Sequence, residues 1–275
     1  MKVRSQFFSI RTTRSNRQFV QGKRTGGWSC ARALNELRAL GEQRNIDGMA
    51  RFGIRAKIVY GVAKPKMDLL ARRIGKDHQL ALELWATGVQ DARILAGMID
   101  LPERVTAAQM ETWVRDFDNW DVCDGTCCHL FVFAVPAWKK ALEWSQREEE
   151  FIKRAGFALR AYLAYRDKRA TDAQFQRLLP VIEREAFDER NFVKKAVNWA
   201  LRNIGKRNIH LNRAAIRTAE RIRRQGSRST RWLPQTRFAN WKVQRCKPGS
   251  GEREAEENDC ERKTERTEDS PREAQ

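Results

Sequence analysis

Apolar residues recur every three or four positions along most of the chain between residues 31 and 225, and this spacing predicts helices. No stretch of useful length alternates between apolar and polar residues, as a half-buried strand would. Prolines are sparse in this region, and each lies where a helix should begin or end. The pattern predicts helices at residues 31–41, 45–52, 66–76, 78–87, 90–99, 106–117, 119–133, 136–147, 148–167, 172–187, 190–206 and 210–225.

Successive pairs of these helices recur at about 35 to 45 residues, which is the spacing of HEAT-type helical repeats. Stacked pairs of this kind form a curved solenoid, an α-α superhelix, with an extended concave face. We therefore predict an all-α fold, a HEAT-like helical-repeat solenoid. The alternative is a compact helical bundle without repeats, because the internal sequence similarity is weak.

The two ends of the chain differ from this helical region. Residues 1–28 contain seven Lys and Arg and no acidic residue. They are either an organellar transit peptide or upstream sequence translated from a start codon placed too early, which we favour because a regular domain begins near Ala31. Residues 246–275 hold ten acidic and six basic residues without any Val, Ile, Leu or aromatic residue, which predicts disorder. We place the folded domain at 29–232, between a disordered or non-native extension and a disordered tail at 233–275.

The chain carries 54 Lys and Arg against 35 Asp and Glu, a formal net charge of +19. A surplus of this size favours an anionic partner, nucleic acid first and a membrane surface second. It also predicts that the concave face of the solenoid is basic. The apolar run at 131–135 is far shorter than the roughly 18 residues that cross a bilayer. The cysteines do not form a disulfide framework, so we predict reduced thiols and a cytoplasmic protein, with organellar targeting by residues 1–28 as the alternative.

One face of the predicted helix at 190–206 is apolar, and a tryptophan lies at its edge. Trp199 stands beside the cations Lys195, Arg202 and Lys206 at helical spacing. A large aromatic ring among cations is typical of a surface that lies against an anionic, stackable polymer. The alternative is a tryptophan at the boundary of the core with a solvated basic face. The apolar face consists of Phe192, Val193, Ala196, Val197, Ala200, Leu201 and Ile204.

A second unusual segment brings a carboxylate close to another tryptophan. Asp118 or Asn119 suits the N-cap of this helix, and the helix dipole favours Asp121 in the first turn. Trp120 and Asp124 are four residues apart and so share one face. The ring can press on a sugar or base while the carboxylate faces a developing positive charge. The alternative is a surface aspartate beside a tryptophan at the edge of the core.

Three cysteines and a histidine cluster around Asp124, namely Cys123, Cys127, Cys128 and His129. Two thiols one helical turn apart can bind a metal, but a structural zinc site usually needs a second pair, and no pair with matching spacing occurs. We therefore predict no metal site and interpret the thiols as small side chains packed between helices.

The predicted helix at 148–167 contains a candidate phosphate contact, Arg154. This residue is expected to lie off the buried face of the helix, on a row with small residues, where a phosphate backbone could approach it closely. The alternative is an ordinary solvated arginine. The buried face is expected to contain Phe151, Ile152, Ala155, Leu159, Tyr162 and Leu163.

These segments together resemble the AlkD-like family of DNA alkylation repair enzymes, which are built from HEAT-like repeats. The resemblance covers residues 31–232. It is carried by ARFGI at 50–54, LALELWATGVQDARILAGMID at 80–100, WVRDFDNWDVCD at 113–124, KALEWSQREEEFIKRAGFALRAYLA at 140–164 and DERNFVKKAVNWALRNIGKRN at 188–208.

The resemblance implies roles for five of the residues already named. By motif, Trp120 and Asp124 match the first tryptophan and the catalytic aspartate of active members. Trp199 and Arg202 match the second tryptophan and the arginine that follows it. Arg154 matches the remaining arginine, which lies at the DNA backbone. The neighbouring cations Lys195 and Lys206 are expected to join this DNA-binding set.

The activity implied is that of a monofunctional DNA glycosylase of the DNA-3-methyladenine/7-methylguanine type, acting on cationic N3- or N7-alkylated purines in duplex DNA. The resemblance implies no cofactor, alkylated double-stranded DNA as the partner, no membrane, and a monomer. Asn119 stands where active members have a second aromatic residue. This difference keeps open a non-catalytic HEAT-repeat protein that recognises DNA structure. A protein-binding helical scaffold is a further alternative.

The end of the resemblance indicates a shift of the reading frame. Family members continue after the last repeat with a helix similar to RWIASDALREL, whereas Arg231 and Trp232 are followed here by LPQTRFANW. A nucleotide sequence that encodes these nine residues gives ASDALREL when it is read two bases further on. We therefore interpret residues 233–275 as out-of-frame translation, which resequencing of the gene tests.

Overall fold

The computed structural model describes residues 27–54, 56–226 and 229. These residues are helical apart from short connections, and the extended pairing among them is an isolated bridge between Gly41 and Val62. The all-α prediction is therefore confirmed. The predictions made for residues 1–26 and for the frameshifted tail concern residues outside those described. Trp28 was predicted to belong to the N-terminal extension, but it is buried beside Arg32 and Arg73. None of the described helices is both long and apolar enough to cross a membrane.

The chain divides into two compact units, and the first ends at Arg104. A loop of this unit is tied to α5, because the buried carboxylate of Asp91 accepts hydrogen bonds from the backbone N–H groups of Tyr60 (2.6 Å) and Val62 (2.8 Å). Its helices are α1 (Cys30–Leu40), α2 (Gln43–Arg51), α3 (Lys64–Ile74), α4 (His78–Ala86) and α5 (Gln90–Ile99), followed by a 3₁₀ turn at Pro102–Arg104.

The second unit begins at Val105 and contains every candidate site residue. A 3₁₀ turn at Phe131–Phe133 follows its second helix. The helices are α6 (Ala107–Arg115), α7 (Trp120–His129), α8 (Ala137–Trp144), α9 (Glu150–Arg166), α10 (Asp172–Gln176), α11 (Leu179–Glu185), α12 (Asn191–Lys206) and α13 (Ile209–Arg224).

Helix α9 is the centre of the second unit. Buried residues fall on every side of it, in an almost unbroken run from Ile152 to Ala164. Two thiols of α7 face carbonyls of α9 that are one turn apart, with Cys123 donating to Phe151 and Cys127 to Ala155. Because both helices advance together in these contacts, α7 and α9 run parallel.

Helix α12 runs parallel to α9 on another side. Arg154 near the start of α9 donates to the carbonyl of Phe192 near the start of α12, and the rings of Tyr162 and Trp199 meet further along both helices. The parallel helices α7, α9 and α12 therefore carry the side chains that the sequence singles out.

Helices α8 and α9 approach closely at a glycine. A Cβ atom added to Gly156 would lie 2.2 Å from the backbone nitrogen of Ser145. The guanidinium of Arg160 is fully buried one turn further along and donates to the carbonyl of Ala141 (3.3 Å) and the hydroxyl of Ser145 (2.5 Å). Burial lowers the pKa of Arg160 to about 9. The contact between α8 and α9 therefore depends on the absence of a side chain at Gly156 and on the hydrogen bonds of Arg160.

Two predicted helices differ in the structure, one because it is divided and the other because it is shorter. The predicted helix at 172–187 is two helices, α10 and α11, because Pro180 stands in the first turn of α11 and cannot donate the hydrogen bond that a continuous helix requires. The predicted helix at 119–133 ends early, at His129, because Leu130 leaves the helical conformation (φ −129°, ψ −65°). The remaining predicted helices are confirmed, with ends that differ by a few residues.

We expect Gly156→Ala to lower the free energy of unfolding by about 1–3 kcal/mol, because the new methyl group must push α8 away from α9. Gly125→Ala in α7 is the control, since a Cβ atom there meets nothing within 4 Å. This control should raise stability by up to about 1 kcal/mol through helix propensity. Urea denaturation followed by circular dichroism measures both changes, and equal stability of the two variants would contradict the close approach.

Candidate functional site

Helix α7 starts with a buried cap. The side-chain oxygen of Asn119 accepts hydrogen bonds from the backbone N–H groups of Asp121 (3.0 Å) and Val122 (3.2 Å), and its amide donates to Asp118 (2.7 Å). Asn119 is fully buried, so the N-cap prediction is confirmed for this residue. Its side chain belongs to the helix start and not to the surface that carries the neighbouring Trp120.

Asp124 on α7 is paired with Arg154 on α9. The guanidinium donates from Nε to Oδ1 (2.9 Å) and from Nη2 to Oδ2 (2.5 Å), so both carboxylate oxygens are held. Its third nitrogen, Nη1, donates to the carbonyl oxygen of Phe192 (2.7 Å) on α12. The Asp124 side chain remains 16% exposed, so it is partly accessible to solvent.

The expectation that Arg154 lies off the buried face of its helix is wrong. Arg154 is 7% exposed, because α9 is packed on all sides and has no solvated face. Burial opposes its charge, but the charge and hydrogen bonds of the Asp124 carboxylate outweigh burial and raise the pKa of Arg154. The guanidinium therefore stays charged inside the unit. A contact between Arg154 and phosphate stays a prediction.

The two carboxylate oxygens of Asp124 are held in place by Arg154 but can still accept further hydrogen bonds. Each carboxylate oxygen has two lone pairs, and the two parallel N–H donors of the guanidinium use one on each. The remaining lone pairs of Asp124 can face a cation or a water molecule. The pair thus supplies a fixed negative group on a partly exposed side chain.

Both candidate tryptophans, Trp120 on α7 and Trp199 on α12, are half-buried. Trp199 meets the ring of Tyr162 edge-on, with centroids 4.8 Å apart and an angle of 85° between the planes. Tyr162 was expected in the buried face of α9, but it is also half-buried and fixes one side of Trp199. The sequence carries no signal for this contact, because it depends on how α9 and α12 are aligned.

Four side chains form a stripe along α12. Lys195, Trp199, Arg202 and Lys206 are spaced by four, three and four residues, and all are half-buried. The opposite face is buried as predicted, with Phe192 alone among the predicted apolar residues half-buried. The structure therefore places the tryptophan at the core boundary with three cations in the same row. The use of this stripe in binding stays a prediction.

Two of the three thiols of α7 pack between helices, as interpreted from the sequence, whereas Cys128 is half-buried. Cys123 and Cys127 are fully buried, and their sulfurs lie 3.7 Å and 3.8 Å from the α9 carbonyls that they face. Burial raises the pKa of Cys123, so this thiol stays protonated. Within the described part of the chain, no three His, Cys, Asp or Glu residues are grouped as metal ligands would be.

Comparisons with known proteins address the family and the fold. A family model described as DNA alkylation repair enzyme matches residues 33–233, which include all the candidate site residues. No curated protein gives a significant match. One solved structure, described as "A new family of proteins related to the HEAT-like repeat DNA glycosylases with affinity for branched DNA structures", is similar with a TM-score of 0.66 and 21% identity. The similarity covers 76% of this chain and 93% of that chain, and it confirms the HEAT-like repeat fold.

We expect Arg154 and Asp124 to be energetically coupled by about 1–3 kcal/mol, because removing one partner leaves the other charge buried without its counter-ion. A double-mutant cycle with Arg154→Met and Asp124→Asn, measured by urea denaturation, gives this value. Arg221→Met with Glu183→Gln is the control cycle, since that pair is more exposed and should be coupled by less than about 1 kcal/mol. Equal coupling in the two cycles would refute a special role for the buried pair.

Proposed function

We propose that this chain, which belongs to the DNA alkylation repair enzyme family, hydrolyses the N-glycosidic bond of cationic N3- or N7-alkylated purines in double-stranded DNA. The observation that carries the proposal is the fixed carboxylate of Asp124. It is held by Arg154, belongs to a side chain that stays partly exposed, and lies four residues from Trp120 on the same helix.

The chemistry suits a site of this kind. A purine alkylated at N3 or N7 carries a positive charge and leaves without prior protonation, so no strong general acid is needed. The bond between the purine and C1′ of the sugar breaks, and its electron pair neutralises the base. The sugar then gains oxocarbenium character, which a preorganised negative group stabilises. A water molecule bonds to C1′ and gives up a proton, which completes the hydrolysis.

In this mechanism Asp124 faces the developing charge on the sugar and orients the attacking water. Arg154 acts through Asp124 as a positioning residue, because its donors fix both carboxylate oxygens before the substrate arrives. This role fits its burial better than the phosphate contact expected from the sequence. Trp120 and Trp199 pack against the strand that carries the damaged base.

Phosphate binding is assigned to the cations of the α12 stripe. Lys195, Arg202 and Lys206 follow one row over about 16 Å of helix, at 1.5 Å per residue. Such a row matches a run of phosphates along one strand. The net charge of +19 supports an anionic polymer as the partner. The reaction as written uses no cofactor.

A second candidate function is DNA-structure recognition without catalysis. It is favoured by the similar solved structure, whose protein is described as having affinity for branched DNA structures. The same stripe and tryptophans could bind DNA through phosphates and shape alone. The buried capping role of Asn119 means that this residue does not by itself favour either function.

We expect Asp124→Asn to reduce the release of 7-methylguanine from methylated duplex DNA at least 100-fold, because the amide cannot oppose the charge on the sugar. DNA affinity should change by no more than a few-fold. Asp121→Asn, one turn earlier on α7, removes the same charge outside the pair and should keep its excision rate. Chromatography of released bases under single-turnover conditions measures the rates. Unchanged release by Asp124→Asn, or no release by the wild type, would overturn the glycosylase proposal.

We expect Lys195→Ala, Arg202→Ala and Lys206→Ala each to lower the salt dependence of DNA binding, because each removes one phosphate contact. The slope of log K against log salt should fall by about 0.9 per variant. Arg217→Ala on α13 removes an exposed cation outside the stripe and should leave the slope unchanged. Fluorescence anisotropy between about 50 and 200 mM salt measures the slopes. Similar losses for all four variants would indicate a diffuse charge effect and contradict the stripe.

A further inference from the structure

A cavity of about 520 Å³ opens at the C-terminal end of α9, well away from Asp124. This volume lies in the range of pockets that hold small ligands. We call it the α9-end pocket and define it by six of its lining residues. They are Phe133, Trp138, Leu163, Arg166, Lys168 and Arg169.

Hydrogen bonds and ring packing hold two of the residues that line the α9-end pocket, Trp138 and Asp167. The indole nitrogen of Trp138 donates to the carboxylate of Asp167 (2.9 Å), and the Trp138 ring packs on buried Phe175 with centroids 5.2 Å apart. Asp167 also accepts hydrogen bonds from the backbone N–H groups of Arg169 (3.1 Å) and Ala170 (3.0 Å). The Asp167 carboxylate therefore already accepts three hydrogen bonds from groups of the protein.

One of the residues that line the pocket, Phe133, has an exposed aromatic ring. Phe133 is 53% exposed, although burying a side chain of this size would be favourable. The guanidinium of Arg166 lies 5.8 Å from the centre of the Phe133 ring and 5.2 Å from that of Tyr165. The pocket thus combines a planar apolar surface with a cation beside it.

Three cations, Arg166, Lys168 and Arg169, line the same pocket within four residues. A cation at the end of a helix is favoured by the helix dipole, but that does not account for this set. Arg207 of α12 already donates to the carbonyls of Ala164 (2.9 Å) and Ala170 (2.8 Å) at the end of α9. Lys168 and Arg169 lie beyond the helix and are exposed. The ammonium of Lys168 lies 5.1 Å from the centre of the Tyr165 ring, so this exposed cation stands beside an aromatic ring of α9.

We propose that the α9-end pocket binds one unpaired nucleotide of a DNA strand, with its base stacked on Phe133 and its phosphates on Lys168 and Arg169. A planar ring beside cations is the combination that binds single-stranded nucleic acid without reading its sequence. Arg166 is about 18 Å along α9 from Arg154, at 1.5 Å per residue. A nucleotide here is too far away to react at Asp124, so the pocket is a second point of contact.

The test compares a blunt duplex with the same duplex extended by six unpaired thymidines, at the 3′ end in one version and at the 5′ end in another. Fluorescence anisotropy gives the dissociation constants. The wild type should bind one extended duplex on the order of ten-fold more tightly than the blunt one, and Phe133→Ala should lose this gain. Val135→Ala is the matched control, because Val135 is 93% exposed in the same loop. The double variant Lys168→Ala with Arg169→Ala should reduce both the gain and the salt slope.

The proposal is refuted if neither extension increases affinity, if Phe133→Ala keeps the gain, or if Val135→Ala loses it equally. Circular dichroism confirms that each variant is folded. Phe133→Ala should release 7-methylguanine from a blunt duplex at the wild-type rate. Absence of release by the wild type would refute the glycosylase proposal and leave the binding comparison valid, so the two failures can be told apart.

Discussion

The pairing of Arg154 with Asp124 is the interaction on which this surface of the second unit depends. One guanidinium on α9 holds the carboxylate of α7 and a backbone carbonyl of α12 at the same time. A charge in such a place is tolerated because each of the three guanidinium nitrogens has an acceptor. The contact therefore sets the positions of three helices and of the partly exposed Asp124 side chain.

The same principle extends along α9, where cations face different neighbours. Lys153 pairs with Glu185 at the end of α11, while Arg160 donates to α8 and to the carbonyl of Leu178. Each buried cation thus ties the central helix in a different direction. A wrong register of any neighbouring helix would leave a buried charge without a partner, so these pairs specify the arrangement as well as stabilise it.

The sequence predicts local features of this protein well and contacts between helices poorly. Helix positions follow from apolar spacing, and the cap at Asn119 follows from the residues beside it. The burial of Arg154 could not be predicted in this way, because the argument assumed that α9 has one solvated face. Its partner is 30 residues earlier on another helix. The contact between Tyr162 and Trp199 likewise depends on how α9 and α12 are aligned. The spacing of residues within one helix does not predict this alignment.

Under the proposed function, the burial of two thiols of α7 has a chemical consequence. Electrophiles that methylate purines also react with sulfur, and they react with the thiolate far faster than with the thiol. Cys123 is fully buried and its raised pKa keeps the proton on sulfur. Cys127 is equally enclosed one turn later. Burial therefore shields these two thiols, on the helix that carries Asp124, from the reagent whose damage the protein is proposed to remove.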